Sequence, residues 1–150
     1  MTTNQKGAIA ETAVAHAATK LGIDVYRPVA EGGRYDLIFG LDSRLIRIQC
    51  KWAARRGDVV QVPCVSCRRG RDGFVRRSYT ADEVDAIVAY CQALDQCYFI
   101  PIERVHGSPA ISLRVAPTRN NQQLKINWAK DFEFEATLRF YGAVAQLGER

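Results

Sequence analysis

The chain has 150 residues, of which 47% are hydrophobic, so it is long enough for one domain with a buried core and too short for two. It has no apolar run of membrane-spanning length, and its N-terminus lacks the features of a secretory signal; we therefore expect an intracellular protein of the cytoplasm or nucleoid, not a membrane protein. The five cysteines are then expected to be free thiols, and the net charge of +5 favours an acidic partner.

The N-terminal part of the sequence predicts a helix followed by a strand. Residues 6–21 are rich in alanine, repeat apolar side chains at helical spacing and are followed by a glycine, which predicts the first helix. Residues 23–29 have the composition of a strand, and residues 31–34 form a glycine-containing turn.

Residues 35–53 predict a β-hairpin with polar groups at its open end. Two apolar runs are separated by a two-residue break at residues 42–43, which is typical of a tight hairpin. Counting back from this turn, Asp36 lies opposite Gln49. Strand alternation places Gln49 and Lys51 on one face, so three polar side chains converge at that end of the hairpin.

A basic segment follows the hairpin. Residues 59–63 predict a strand, and residues 64–79 are polar, basic and glycine-containing, which predicts a long loop or a projecting ribbon. Thr80 and Glu83 have the spacing of a capping box, which predicts an amphipathic helix from Thr80 to about Leu94.

The C-terminal third is predicted to contain two further strands, at residues 97–102 and 110–116. A short helix capped by Asn127 is expected after them, followed by a loose tail from Ala143.

Positive charge is concentrated between Lys51 and Arg77, where eight Lys or Arg residues stand against Asp58 and Asp72. Arginines outnumber lysines sixteen to five in the whole chain, and a guanidinium group suits phosphates and guanine edges better than an ammonium group does. The segment therefore predicts an acidic polymer as partner. The alternative, ordinary solvated surface charge, predicts evenly spread and lysine-rich positions.

The hairpin carries the groups that phosphodiester hydrolysis needs: oxygen ligands for a hard cation and a positive group near the phosphate. The Asp36 carboxylate can bridge metal ions. The Gln49 side-chain oxygen and the Cys50 backbone carbonyl can complete the coordination, and Lys51 can orient the attacking water or steady the pentacovalent phosphate. Glu11 joins them if the first helix packs beside the hairpin.

Each of these residues also has a structural explanation. Asp36 could cap a turn, Gln49 could make a hydrogen bond at a strand edge, and Lys51 could be a solvated charge. Their convergence on one predicted face favours catalysis.

The order Asp36, then Gln49-Cys50-Lys51 on the partner strand, resembles the motif of the PD-(D/E)XK nucleases, an acid at the start of one hairpin strand and acid-x-Lys on the other. Residues 7–11 and 82–102 resemble the branch of this superfamily encoded in bacterial group I introns, the homing endonucleases. The sequence departs from the motif at Gln49, where an amide replaces the usual acid and removes one negative charge from the metal site, and at the residue before Asp36, which is Tyr and not Pro.

The resemblance implies an α/β, restriction-endonuclease-like fold, with a mixed central sheet flanked by helices and a basic loop or ribbon insertion, in a single nuclease domain at residues 1–150. It implies cleavage of double-stranded DNA at a specific site, in the service of intron mobility. The expected cofactor is Mg²⁺, with Mn²⁺ able to substitute and Ca²⁺ binding without supporting cleavage. The predicted DNA contacts are Arg55, Arg56, Arg68, Arg69, Arg71, Arg76 and Arg77.

A double-strand break requires two active sites that face opposite strands, which predicts a homo-oligomer with a dimer as the minimum and a dimer of dimers as a second assembly. Two other functions compete with homing. A Holliday-junction resolvase belongs to the same superfamily, and a non-catalytic DNA-binding regulator with a degenerate nuclease fold is favoured by Gln49.

Overall fold

The computed structural model describes residues 1–105, 107–120 and 124–148, without the side chains of Arg68 and of residues 143–148. The first element is helix α1 (Thr3–Lys20). It begins with a capping box in which Thr2 Oγ1 accepts from the Gln5 amide, and the Gln5 side chain accepts from the Thr2 amide. The helix thus starts three residues earlier than predicted.

Ten strands follow in the described residues: β1 (Asp24–Tyr26), β2 (Leu37–Leu41), β3 (Arg44–Trp52), β4 (Ala54–Arg56), β5 (Val59–Pro63), β6 (Val65–Gly70), β7 (Gly73–Ser78), β8 (Ala86–Cys91), β9 (Gln96–Pro101) and β10 (Ala110–Arg114). Short 3₁₀ helices lie at Ile102–Arg104 and Ala129–Phe132, and the last element is helix α2 (Phe134–Gly148).

Among the described strands, five form the central sheet in the order β1-β2-β3-β8-β9. Strands β3 and β8 are parallel and the other neighbours are antiparallel, so the predicted mixed sheet is confirmed. Strands β10, β5 and β4 form a smaller antiparallel sheet, and β6 pairs with β7 in a hairpin.

The central sheet is covered by different elements on its two faces. Val14 of α1 and Leu138 of α2 are buried on one face with Phe39 and Phe99. The smaller sheet covers the other face, where its alternate residues, such as Val62, join a second apolar cluster. Apolar side chains therefore hold three layers together, with the central sheet in the middle.

The predicted register of the first hairpin is confirmed. Leu41 pairs with Arg44 around the tight turn, where Asp42 adopts a φ of 47°, and Leu37 pairs with Ile48. Asp36 comes next along the strand, and its amide donates to the Ile48 carbonyl over 2.8 Å. Asp36 therefore lies beside Gln49, as counting back from the turn predicted.

The helix predicted at residues 80–94 is wrong. Only a local turn forms at its predicted start, where the amides of Glu83 and Val84 both donate to the Thr80 carbonyl. The chain then enters strand β8, whose residues 86–89 are fully buried. A central strand that is covered on both faces has a continuous apolar run, which periodicity alone does not distinguish from a buried helix.

The C-terminal prediction also needs correction. Asn127 caps no helix with its side chain: its carbonyl accepts from the Arg114 amide, and the 3₁₀ helix has Trp128 at its N-cap position. The expected loose tail is wrong as far as Gly148, because α2 continues through it; the last two residues of the tail lie outside the described residues.

Two predicted strands are shorter than expected, since β1 occupies only part of residues 23–29 and β10 ends before residue 116. In the described ranges no helix has the length and apolar character needed to cross a membrane.

Candidate active site

The open end of the first hairpin fixes the carboxylate of Asp36. Its Oδ2 accepts from the Cys50 amide over 2.9 Å, while its own amide is bonded to the opposite strand. Beside it, Gln49 is 9% exposed and its Nε2 donates to the Cys50 carbonyl over 3.3 Å. The carboxylate, the amide and the carbonyl predicted as ligands are thus brought together at one strand end.

Glu11 reaches the same place from helix α1, which packs against β3. Glu11 and Asp36 both line a cavity of about 320 Å³ that the segment from Arg27 to Gly33 closes on one side. Arg27 Nη1 lies 3.2 Å from Glu11 Oε1, in a pair whose arginine is mostly exposed. The first helix therefore contributes its carboxylate as the sequence predicted.

Both carboxyl groups have a raised pKa, mainly because of burial. Burial, followed by the charge of Asp36, raises the pKa of Glu11, although Arg27 opposes this shift. Burial also raises the pKa of Asp36, against the hydrogen bond from the Cys50 amide and the charge of Lys51. Negative charge is thus confined at a site where a cation would relieve both effects.

Lys51 lies two residues after Gln49 on the same face of β3 and is held by the second hairpin. Its Nζ donates to the Val65 carbonyl over 3.0 Å and stands 5.0 Å from the centre of the Tyr79 ring. Val65 opens β6, and Tyr79 directly follows β7. The root of the basic hairpin therefore positions the lysine ammonium.

The donor set fits a hard divalent cation. The side chains of Glu11, Asp36 and Gln49, with the carbonyl of Cys50, offer oxygen atoms only, which is the preference of Mg²⁺, Mn²⁺ and Ca²⁺. A half-turn of the Gln49 amide presents Oε1 where Nε2 now meets the Cys50 carbonyl. In the described residues no three His, Cys, Asp or Glu side chains form a metal cluster, and a set with two carboxylates and an amide agrees with this.

The predicted DNA-contacting arginines fall into separate places. Arg69, Arg71 and Arg76 are exposed on the second hairpin, and the side chain of Arg68 lies outside the described residues. Arg77 is on the same hairpin, but it pairs with Glu83. The remaining two are exposed on β4, where Arg55 Nε donates to the Gly57 carbonyl and Arg56 lines an open cleft of about 1130 Å³.

Sequence reasoning missed four residues around this site: Arg27, Arg34, Tyr79 and Glu83. Each one contacts a group that is remote in sequence, such as Arg27 with Glu11 or Arg34 with the ring of Tyr79 at 4.2 Å. The spacing of residues along the sequence does not predict such contacts, because they depend on how the second hairpin and the loop after β1 pack against the central sheet.

The structure thus brings together an acid next to the start of one strand, an x-Lys pair on its antiparallel partner and a helix-borne glutamate, on a mixed α/β scaffold. The model of the PD-(D/E)XK endonuclease family matches residues 1–135, so the chain belongs to this family and is an endonuclease.

Among solved structures, the chain is similar to that of a bacterial homing endonuclease, I-Ssp6803I. The TM-score is 0.79 at 25% sequence identity, over 97% of this chain and 98% of that one. This likeness confirms the predicted restriction-endonuclease-like fold. No curated protein is a significant match to the chain.

Proposed function

We propose that the protein is a site-specific homing endonuclease that makes metal-dependent double-strand breaks in DNA and thereby supports the mobility of an intron. The observation that carries the proposal is the likeness to a bacterial homing endonuclease over nearly the whole length of both chains. The convergence of Glu11, Asp36, Gln49 and Lys51 at one strand end supports it, in a single nuclease domain at residues 1–150.

When bound, a divalent cation, expected to be Mg²⁺, would supply Lewis-acid stabilisation of the attacked phosphate and would activate a water. Glu11, Asp36, the Gln49 side chain and the Cys50 carbonyl would hold it. Asp36 is suited to this role because the Cys50 amide fixes one of its oxygens and leaves the other free of a described hydrogen bond.

Lys51 acts from the face of β3 that it shares with Gln49. Its ammonium group is held by a carbonyl and an aromatic ring, both uncharged partners, so its positive charge stays available to the substrate. In the proposed reaction it orients the attacking water or stabilises the negative charge that develops on the phosphate. The basic hairpin next to it would contact the same DNA.

The test is cleavage of a library of linear duplexes, with Mg²⁺, Mn²⁺ or Ca²⁺ added, by the native chain and by Asp36→Asn as the matched control. The proposal expects one defined site to be cut in both strands with Mg²⁺ or Mn²⁺ and only bound with Ca²⁺. Asp36→Asn should bind DNA within a few-fold of the native affinity and cut at less than a tenth of its rate.

Two other results would contradict the proposal, and each would favour a different function. A synthetic four-way junction, offered in the same reaction, would be cut in preference to any linear duplex if the protein were a resolvase. Tight DNA binding without nicking under any metal would favour the non-catalytic regulator, for which the amide of Gln49 in place of an acid is the specific argument.

A further inference from the structure

The hairpin β6–β7 has two faces with different surroundings. Paired residues share a face, and the pairs Cys67–Arg76 and Arg69–Phe74 alternate with Ser66–Arg77. We refer to Cys67, Arg69, Phe74 and Arg76 as the reading face, and to Ser66, Val75 and Arg77 as the anchored face. Arg76 and Arg77 are neighbours in the sequence, yet they point to opposite faces.

The anchored face is tied to the rest of the protein through Arg34. Arg34 Nη1 donates to Ser66 Oγ over 2.8 Å and Nη2 donates to the Ser78 carbonyl over 2.6 Å, so one guanidinium group joins both strands of the hairpin. The side chain of Arg34 is 20% exposed and also stacks on the buried ring of Tyr79. These contacts fix the hairpin at its root.

Glu83 completes this anchor and draws Arg77 into it. Its Oε2 lies 2.9 Å from Arg34 Nε and accepts from Arg77 Nη2 over 2.9 Å, while its Oε1 accepts from the Thr80 hydroxyl. The Glu83 side chain is 18% exposed, against 65% for Arg77. Arg77 is therefore accessible, but a carboxylate next to it already offsets its charge, which reduces what a DNA phosphate gains there.

The reading face has the opposite character. In the part of the chain that the structure describes, neither Arg69 nor Arg76 takes part in an ion pair, and both are exposed. Phe74 pairs with Arg69, stands two residues before Arg76 and is 75% exposed, so its ring is open to a partner. Two free guanidinium groups around an exposed ring match the chemistry of base edges and phosphates.

The dimensions and the chemistry favour duplex DNA as that partner. The major groove admits a two-stranded β-ribbon, arginine forms paired hydrogen bonds with guanine, and an apolar side chain contacts the thymine methyl group. A purely phosphate ligand would leave the exposed ring unused, and a single strand offers no groove for a two-stranded ribbon.

We propose that the reading face enters the major groove of DNA and contacts bases through Arg69, Phe74 and Arg76, whereas Arg77 belongs to the anchor that holds the hairpin. This inference rests on the proposed function for its substrate, and it assigns Arg77, which the sequence predicted as a DNA contact, to the anchor instead. Arg77 becomes a positioning residue, through Glu83 and Arg34.

The neighbouring arginines provide matched variants. Binding of Arg76→Gln and Arg77→Gln to a mixed-sequence duplex of about 30 base pairs, three turns of B-DNA, is measured in EDTA so that cleavage plays no part. We expect Arg76→Gln to lose affinity about tenfold or more with an unchanged melting temperature, as for a direct contact. Arg77→Gln should lose less than about threefold, in line with a charge that is already partly compensated.

Glu83→Gln separates anchoring from charge. It removes a negative charge, so a purely electrostatic role predicts tighter DNA binding and no change in stability. The anchor predicts a lower melting temperature, because Arg34 loses its ion pair with Glu83. Equal losses of affinity for the two arginine variants, or native affinity for Arg76→Gln, would overturn the division of the faces. If the native chain bound no duplex at all, both the proposed function and this division of the faces would be wrong.

The groove assignment has its own test. Replacing thymidine by deoxyuridine throughout the duplex removes the methyl groups that only the major groove displays. The native chain should prefer the thymidine duplex, and Phe74→Ala should bind both equally. An identical preference in both proteins would exclude Phe74 from base contact and confine the hairpin to the DNA backbone.

Discussion

Gln49→Glu restores the acid of the family motif, and we predict that it makes the metal-free protein less stable. The change removes the Nε2 donor of the Cys50 carbonyl, a loss of about 1 kcal/mol. It also places a carboxylate at a position that is 9% exposed, next to Asp36. For two charges about 5 Å apart across a strand pair, with an effective dielectric constant of about 20, the repulsion is about 3 kcal/mol.

Protonation of one carboxyl relieves part of that repulsion, so we expect a net loss of about 2–4 kcal/mol near neutral pH. For a chain of 150 residues this lowers the melting temperature by roughly 5–15 °C. Saturating Mg²⁺ should recover most of the loss relative to the native chain if the added carboxylate lowers the Kd for Mg²⁺ about 100-fold, which adds about 2.7 kcal/mol more to the folded variant than to the native chain. Cleavage by Gln49→Glu should remain close to the native rate.

The assay is thermal unfolding in EDTA and in excess Mg²⁺, with Gln49→Ala as the control. The alanine variant loses the same hydrogen bond without gaining a charge, so its smaller loss of stability should not respond to Mg²⁺, and its cleavage should be far slower. If Gln49→Glu were as stable as the native chain in EDTA, or if Mg²⁺ left its deficit unchanged, Gln49 would not face the metal site. Equal cleavage by the alanine variant would remove Gln49 from the ligand set.

Three further predictions follow from the same geometry. Burial raises the folded-state pKa of Asp36 above its ordinary value of 3.8, so its ionisation destabilises the folded protein as the pH rises from the ordinary pKa through the raised one. In EDTA near neutral pH, Asp36→Asn should therefore melt at a higher temperature than the native chain. This difference should vanish at a pH below the ordinary pKa. Tyr79→Leu should slow cleavage about fivefold at saturating DNA, because Lys51 loses the ring that holds it, whereas Tyr79→Phe keeps the ring and should keep the rate. Equal rates for the two variants in single-turnover assays would exclude the ring as a support of the lysine. Light scattering at micromolar concentration should find a dimer or a tetramer, and a stable monomer that cuts both strands in one encounter would refute two-fold symmetry.

The first hairpin was predictable because its register follows from local chemistry. A two-residue turn at residues 42–43 fixes every later pair, and Leu37 and Ile48 had to face the same side. Asp36 and Gln49 were then brought together by counting alone. Glu11 required only that an alanine-rich helix pack with its small residues against the sheet, as Ala10, Val14 and Ala18 do.

Strand β8 was not predictable in the same way. The capping-box spacing of Thr80 and Glu83 is a true local signal, but the Glu83 carboxylate is used by Arg34 and Arg77, which come from other elements. In contrast, α2 could have been found: Phe134, Leu138 and Tyr141 follow the i, i+4, i+7 spacing of a helix that covers Phe99. Dividing that stretch into a short helix and a tail concealed the repeat.

The absence of a helix between the second hairpin and β8, within the described residues, has a functional consequence. A turn returns the chain at once to β8, which pairs with β3 beside Gln49 and Lys51. The hairpin root therefore stays next to the candidate active site, and the Val65 carbonyl accepts from Lys51 directly. Arg34, which joins both hairpin strands, lies two residues before Asp36.

Because of this arrangement, we expect a duplex that fits the hairpin poorly to bind weakly and also to displace the Val65 carbonyl from Lys51. Mismatched sites should then lose cleavage rate at saturating DNA in addition to affinity. A helical crossover of a dozen or so residues, at about 1.5 Å for each residue, would have placed some 20 Å of helix between the DNA-contacting hairpin and the candidate active site. Such a protein would have distinguished matched from mismatched DNA sites by binding alone.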